Sequence, residues 1–239
     1  TILAGDESVW LDYRRNSGVG WEISSGKGER MNLVEIKNVS KIFGETGGLN
    51  QVNLEIQKGQ VIWLLGKNGS GKTTLFNCLT GLYKISEGQI NVAGWSNLEP
   101  AIRSQISYMP SFEWLPLSVP ISKICDQYKE LFGDFDIEKC HCLLAEVGIS
   151  TEKKLGNLST GMRAMVKLIL TISRRVGLYL LDEPFANMDF ITREDFCKIL
   201  LKEFSEETTF IISTHILEEI ENLLERVIFL HEGRVVGDI

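Results

Sequence analysis

"LLGKNGSGKTTL", Leu64 to Leu75, sets three glycines and a Lys-Thr pair between an apolar run, "VIWLL", and a stretch with amphipathic helical spacing. A glycine-rich turn where a strand hands over to a helix has two readings: a tight turn, or a backbone cradle for phosphate. Gly66 to Thr73 fit G-x-x-x-x-G-K-[ST] without a gap. Glycines admit positive φ and let backbone N–H groups approach a ligand closely. Those N–H groups and the start of the following helix form an anion site. Lys72 reaches for β- and γ-phosphates, and the Thr73 hydroxyl is suited to Mg²⁺. With a strand before it and a helix after it, the stretch reads as a nucleotide cradle.

The rest of the chain fits that reading. Its 239 residues allow one large α/β domain or one with an inserted subdomain. A net charge of −7 without a basic block argues against a nucleic-acid surface. No segment approaches the roughly 18 apolar residues of a membrane span; "MVKLILTISRRVGLYLLDEP" is broken by Lys167, Arg174, Arg175 and Asp182. Five scattered cysteines suit free thiols in a reducing cytosol. Cys140 and Cys142 are two apart, so on a helix they point about 200° away from each other and read as helical positions rather than metal ligands.

Residues 1–30 are Gly- and Ser-rich and lack periodicity, whereas "MNLVEIKNVS" from Met31 alternates like a strand. The leader therefore reads as an added or flexible extension, and 31–239 as the nucleotide-binding domain. Strands are expected at 52–56, 60–65, 88–94, 105–109, 177–184, 208–214, 226–230 and 234–238. Helices are expected at 71–80, within 119–148, and at 160–175, 191–204 and 215–224. This order implies a largely parallel sheet covered by helices, with a helical block at about 112–175 inserted in it.

"LYLLDEP" ends an apolar strand in Asp182-Glu183. A carboxylate at the C-terminal end of a buried strand beside such a cradle suits Mg²⁺ (Asp182), and the next residue, Glu183, suits a general base that polarises water. "NLSTGMRAMVKLIL" puts Ser159 at the cap of a helix with Gly161 in its first turn, a second anion site. Two anion sites, the cradle and this helix cap, make sense if two copies meet head to tail, each signature closing the other's nucleotide. His215 follows a strand, where it can hydrogen-bond a γ-phosphate.

From Met31 to the C-terminus the chain resembles the nucleotide-binding subunit of ABC transporters. Gly66–Thr73 match the family's Walker A loop and "LYLLDE" its Walker B strand. "LSTGM" (158–162) stands where the family has LSGGQ, "FANMD" (185–189) matches its D-loop with Asp189 at the acidic position, and Thr214-His215 match its switch histidine. Phe43 in "KIFG" falls at the aromatic position that stacks on adenine.

The resemblance implies an α/β P-loop core, mainly parallel, with an antiparallel β flank and a helical signature subdomain. It implies ATP and Mg²⁺ as cofactors, with Phe43, Gly66, Lys67, Asn68, Gly69, Ser70, Gly71, Lys72, Thr73, Thr74, Ser159 and Gly161 on the nucleotide. Thr73 and Asp182 would hold the metal, and Glu183, His215 and Lys72 would carry the chemistry. It implies a second ATP-binding subunit, identical or not, and a separate integral-membrane permease, with the chain cytoplasmic and peripheral on the inner face of the membrane. "LFGDFDIEKCHCLLAEVGI" further resembles a bacterial exporter branch.

Three residues depart from the pattern. Ser111 stands where a glutamine would touch Mg²⁺, and its hydroxyl is too short to copy that amide; either a water takes the place or Glu113 fills it. Thr160 and Met162 replace a glycine and a glutamine of the signature. A non-transport ATPase of the same family, or a weakly hydrolysing ATP sensor, is the alternative reading. The former usually fuses two cassettes, which this chain does not; the latter is at odds with the presence of Glu183 and His215.

Overall fold

The computed structural model describes residues 32–44, 46–186, 188–215 and 226–239. The 1–30 leader, Asn187 and the helix expected at 215–224 lie outside the described residues, apart from His215 itself.

Val61–Leu65 (β3) has no polar side chain, and all five residues are buried. A strand apolar on both faces belongs in the middle of a covered parallel sheet. Here β3 is flanked in parallel by β8 (Thr209–Thr214) and β9 (Arg226–His231). Beyond β8 come β7 (Leu178–Asp182) and β6 (Ile106–Met109), also parallel, and β10 (Arg234–Asp238) closes the far edge antiparallel to β9.

Because successive strand residues point to opposite faces, this sheet divides its side chains between two cores. Val61, Trp63, Leu65, Tyr179, Leu181, Phe210 and Ile212 join one; Ile62, Leu64, Leu178, Leu180, Ile211 and Ile228 join the other. The second core is closed by α1 (Lys72–Leu79) and by an antiparallel sheet ordered β2-β1-β4-β5. In it, β1 (Asn32–Phe43) and β2 (Thr46–Gln57) are long hairpin arms, followed by β4 (Glu87–Val92) and the two-residue β5 (Trp95–Ser96). Expected strand 52–56 is thus only the last half of β2, because Gly47 and Gly48 extend the pairing across a segment with loop-like composition.

The first core is closed by α2 (Ile121–Leu131), α3 (Ile137–Glu146), α4 (Thr160–Ile172) and α5 (Phe190–Glu203). The helical block therefore shares one apolar core with a face of the sheet. On α3, Cys140 is buried and Cys142 exposed, as their angular separation requires. Helix α4 stops at Ile172, short of the expected 175. The N–H of Arg175 goes to the carbonyl of Asp134 (2.9 Å) and the N–H of Asp136 to that of Ser173 (2.7 Å), so the backbone leaves the helix to bridge residues 134–136. The chain is α/β with the mainly parallel core and antiparallel flank expected. No described helix is long and apolar enough to cross a membrane.

Candidate active site

The cradle sits where β3 ends and α1 begins. A Cβ on Gly66 would lie 2.4 Å from the Leu230 carbonyl oxygen, and Gly71 has φ of 109°; neither position accepts a side chain. The loop is fastened from outside: Gly66 N–H donates to Thr214 O (3.3 Å), and Gly233 N–H to Ser70 O (2.9 Å). A backbone held this way is already in shape for an anion.

Lys72 folds back over the loop. Its ammonium donates to Gly66 O (2.5 Å) and Lys67 O (3.3 Å) and is paired with Glu183 Oε1 at 3.0 Å. The other oxygen of Glu183 lies 2.8 Å from His215 Nδ1. The P-loop lysine, the Walker B glutamate and the histidine after β8 are thus one chain of contacts.

Asp182 ends β7 fully buried. A buried carboxylate requires hydrogen bonds, and three hydroxyls provide them: Ser213 on Oδ1 (2.6 Å), Thr73 on Oδ2 (2.7 Å) and Ser111 also on Oδ2 (3.3 Å). Ser111 reaches Asp182 itself because β6 and β7 are parallel neighbours, so the loop leaving β6 starts beside the end of β7. The side chain of Glu113 is turned away, 3.3 Å from Lys167 Nζ and 4.0 Å from Arg163 Nε on α4.

Ser213 is the residue that sequence reasoning missed. It also accepts the Glu183 N–H (2.9 Å), and Glu183 has φ of 48°, a left-handed conformation costly for a residue with a Cβ. In parallel register Asp182 faces Ser213. The available signal was a single hydroxyl closing the apolar run "FIIS".

Phe43 lines the same cleft as Gly69, Gly71, Lys72, Thr73, Thr74, Asn68, Ser111 and Glu183, a space of about 350 Å³. Its ring meets Tyr83 edge-on at 5.4 Å, with Lys41 Nζ 4.8 Å from its centroid. A larger cavity, about 930 Å³, opens beside Gly177 and Thr208, where β7 and β8 start. In open α/β sheets ligands sit at the carboxyl ends of the strands, so the smaller cleft is the functional one.

Ser159 and Gly161 lie elsewhere. Ser159 caps α4 by accepting the Met162 N–H (3.2 Å), and Gly161 is packed on Thr192 of α5, where a Cβ would meet Thr192 Cγ2 at 3.0 Å. Asp189 caps α5 and takes the Thr192 N–H (3.0 Å) and hydroxyl (2.7 Å). The signature and D-loop positions are therefore in contact with each other through Thr192, and neither Ser159 nor Gly161 lines the cleft that holds Lys72.

Residues 49–186 match the family described as ABC transporter. The ABC transporter ATP-binding protein YtrB of Bacillus subtilis is 31% identical over 86% of this chain and 71% of its own length. The SkfA peptide export ATP-binding protein SkfE of the same organism is 29% identical over 87% and 90%. The lantibiotic transport ATP-binding protein SrtF of Streptococcus pyogenes is 30% identical over 85% and 89%. Among solved structures, the ATP-binding subunit of an ABC transporter superposes with a TM-score of 0.79 at 23% identity, covering 87% of this chain and 89% of that one.

Proposed function

The chain belongs to the ABC transporter family, as an ATP-binding, ATP-hydrolysing component of a transport system, and from that premise we propose that it pairs head to tail with a second ATP-binding subunit and drives a separate membrane permease outward. The hydrolytic role rests on the contact chain Lys72–Glu183–His215 beside Asp182, and the proposed pairing on the exposed cap of α4.

In this reading the β- and γ-phosphates take the loop N–H groups and the Lys72 ammonium, which exchanges Glu183 for phosphate. Glu183, steadied by His215 through its other oxygen, then accepts the proton of the water that attacks the γ-phosphorus, giving ADP and phosphate. The hydroxyls of Thr73 and Ser111 share one Asp182 oxygen, and a cluster of hard oxygens suits Mg²⁺. Thr73 and Asp182 would hold the ion, with Ser111 at its edge, and the ion would neutralise phosphate charge. Phe43 offers its ring to the adenine.

Two features support pairing. The cap of α4 is exposed at Ser159 and Thr160, and it stands apart from the cleft of its own chain. It is free to close the nucleotide of another. The outward direction is supported by the similarity to SkfE, whose name speaks of peptide export. A subunit of this kind sits on the cytoplasmic face of the membrane against its permease.

The test is light scattering behind size exclusion on Glu183→Gln, with and without Mg-ATP. A doubling of mass with nucleotide supports the head-to-tail pair; a monomer under both conditions sinks it. Isolation of the complex from native membranes identifies the permease, or its absence.

A further inference from the structure

We propose that Lys167 is the positioning residue that ties the loop after β6 to the signature helix, so that the two move together when nucleotide binds. The inference rests on the nucleotide site described above.

Lys167 lies in the middle of α4 with a side chain only 11% exposed. A lysine buried to that extent requires partners for its ammonium, and those found among the described residues come from three consecutive loop residues. Nζ is 3.3 Å from Phe112 O and 3.3 Å from Glu113 Oε1, and it stands 5.0 Å from the centre of the Trp114 ring. The loop thus closes around one charge.

Each end of this clamp reaches something that matters. Toward the cleft, Ser111 Oγ is 3.3 Å from Asp182 Oδ2. Toward the signature, Glu113 Oε2 is 4.0 Å from Arg163 Nε, and Arg163 Nη2 donates to Thr160 Oγ1 at 3.3 Å. Trp114 Nε1–H donates to the Tyr128 hydroxyl on α2 at 3.0 Å. A shift at Ser111 is therefore handed to α4 through Lys167 and Glu113, and to α2 through Trp114. Residue 111 carries a side chain with one rotatable hydroxyl and cannot itself span that distance.

Burial alone does not require the charge. A buried ion pair is often no more stabilising than apolar residues of the same volume, and methionine has nearly the shape of the lysine stem. If Lys167 only filled space, Lys167→Met would leave every function intact.

The experiment uses the full chain with Lys167→Met, Glu113→Gln and the double variant, each also in a Glu183→Gln background. Three quantities are read: ATP affinity of the monomer, the change in Trp114 emission on adding Mg-ATP (isolated by subtracting Trp114→Phe), and ATP-driven pairing. ATP affinity should stay within about twofold, since none of these side chains lines the cleft. The emission change should disappear, and pairing should weaken roughly 10-fold or more, an effect the size of one charge-assisted contact. The double variant should be no worse than either single one, because both break the same clamp. Lys167→Arg, which keeps the charge, should retain part of the response.

An emission change and pairing that survive Lys167→Met and Glu113→Gln overturn the proposal, as do losses that add in the double variant. If Lys167→Met does not fold, Glu113→Gln and Lys167→Arg decide alone. An unmodified chain that binds no ATP overturns the functional reading and this one together. A chain that binds ATP and pairs while its variants behave like wild type overturns only this one.

Discussion

The ammonium of Lys72 and the carboxylate of Glu183 stand 3.0 Å apart, with 6% and 15% of their side chains exposed. The phosphate-reading cation and the residue in the position of the base thus hold each other across the mouth of the cradle. Nucleotide binding must part them, and the freed carboxylate is left with His215 at 2.8 Å.

Lys72→Ala should therefore act mainly on binding. Charge-assisted hydrogen bonds contribute about 1.5–3 kcal/mol each, so ATP affinity should fall roughly 10- to 100-fold. Titration with a fluorescent ATP analogue reads this directly. Unchanged affinity would mean that the loop N–H groups bind phosphate without the lysine.

Glu183→Gln separates binding from chemistry. The amide keeps the shape and loses the proton acceptor, so nucleotide should still bind while turnover falls by about 10² or more. Steady-state phosphate release measures it. Wild-type turnover would move the role of base to another group, with His215 the neighbour to test next.

Ser213→Ala tests the residue that joins the two carboxylates. The change strands the fully buried Asp182 Oδ1 and the part-buried Glu183 N–H. Leaving buried polar groups unpaired costs about 1–3 kcal/mol, and the left-handed backbone of Glu183 loses its tether. Denaturant melts should show that loss, with kcat lowered more than ATP affinity. Ser213→Thr keeps the hydroxyl and should recover most of both.

Legibility from sequence followed distance along the chain. Gly66 to Thr73 could be read at once because a phosphate cradle is built from consecutive residues, and "LYLLDE" because a buried strand and its terminal acids are contiguous. Ser213 was invisible because its role arises only when β7 and β8 pair in parallel, 31 residues apart in sequence. Sequence alone leaves open whether Glu113 or a water takes the glutamine's place, for the same reason. Only the packing of α4 against the loop after β6 turns it toward Lys167 and Arg163. The length of β2 was hidden by "TGGLN", where composition suggests a loop but pairing with β1 makes a strand.

Asp189 offers a pH test at the cap of α5. The Thr192 N–H, and after it the Thr192 hydroxyl, hold its carboxyl below the usual aspartate range. A group whose folded value is depressed contributes stability above its unfolded value, near 3.9, and loses it as pH falls through the folded value. The melting-temperature gap between wild type and Asp189→Ala should therefore be constant from about pH 6 to 8 and shrink below about pH 4. A gap that does not shrink at all as pH falls below about 4 would mean that packing, not the charged cap, accounts for it.

Ser111 and Glu113 can be told apart by the Mg²⁺ that each would influence. Ser111 Oγ lies on the same Asp182 oxygen as Thr73, whereas Glu113 is engaged with α4. Removing Asp182 as a charge, in Asp182→Asn, should raise the Mg²⁺ needed for half-maximal ATP hydrolysis roughly 10-fold or more, since a hard cation depends on its carboxylate. Ser111→Ala removes one neutral hydroxyl worth about 0.5–1.5 kcal/mol and should raise it roughly 2- to 10-fold. Ser111→Gln brings in a longer oxygen and should leave turnover intact or raise it modestly. Glu113→Ala should leave the Mg²⁺ requirement where it is, whatever it does to pairing. A Glu113→Ala requirement that rises as far as that of Asp182→Asn would mean that the loop turns over when nucleotide binds and delivers the glutamate in place of the serine.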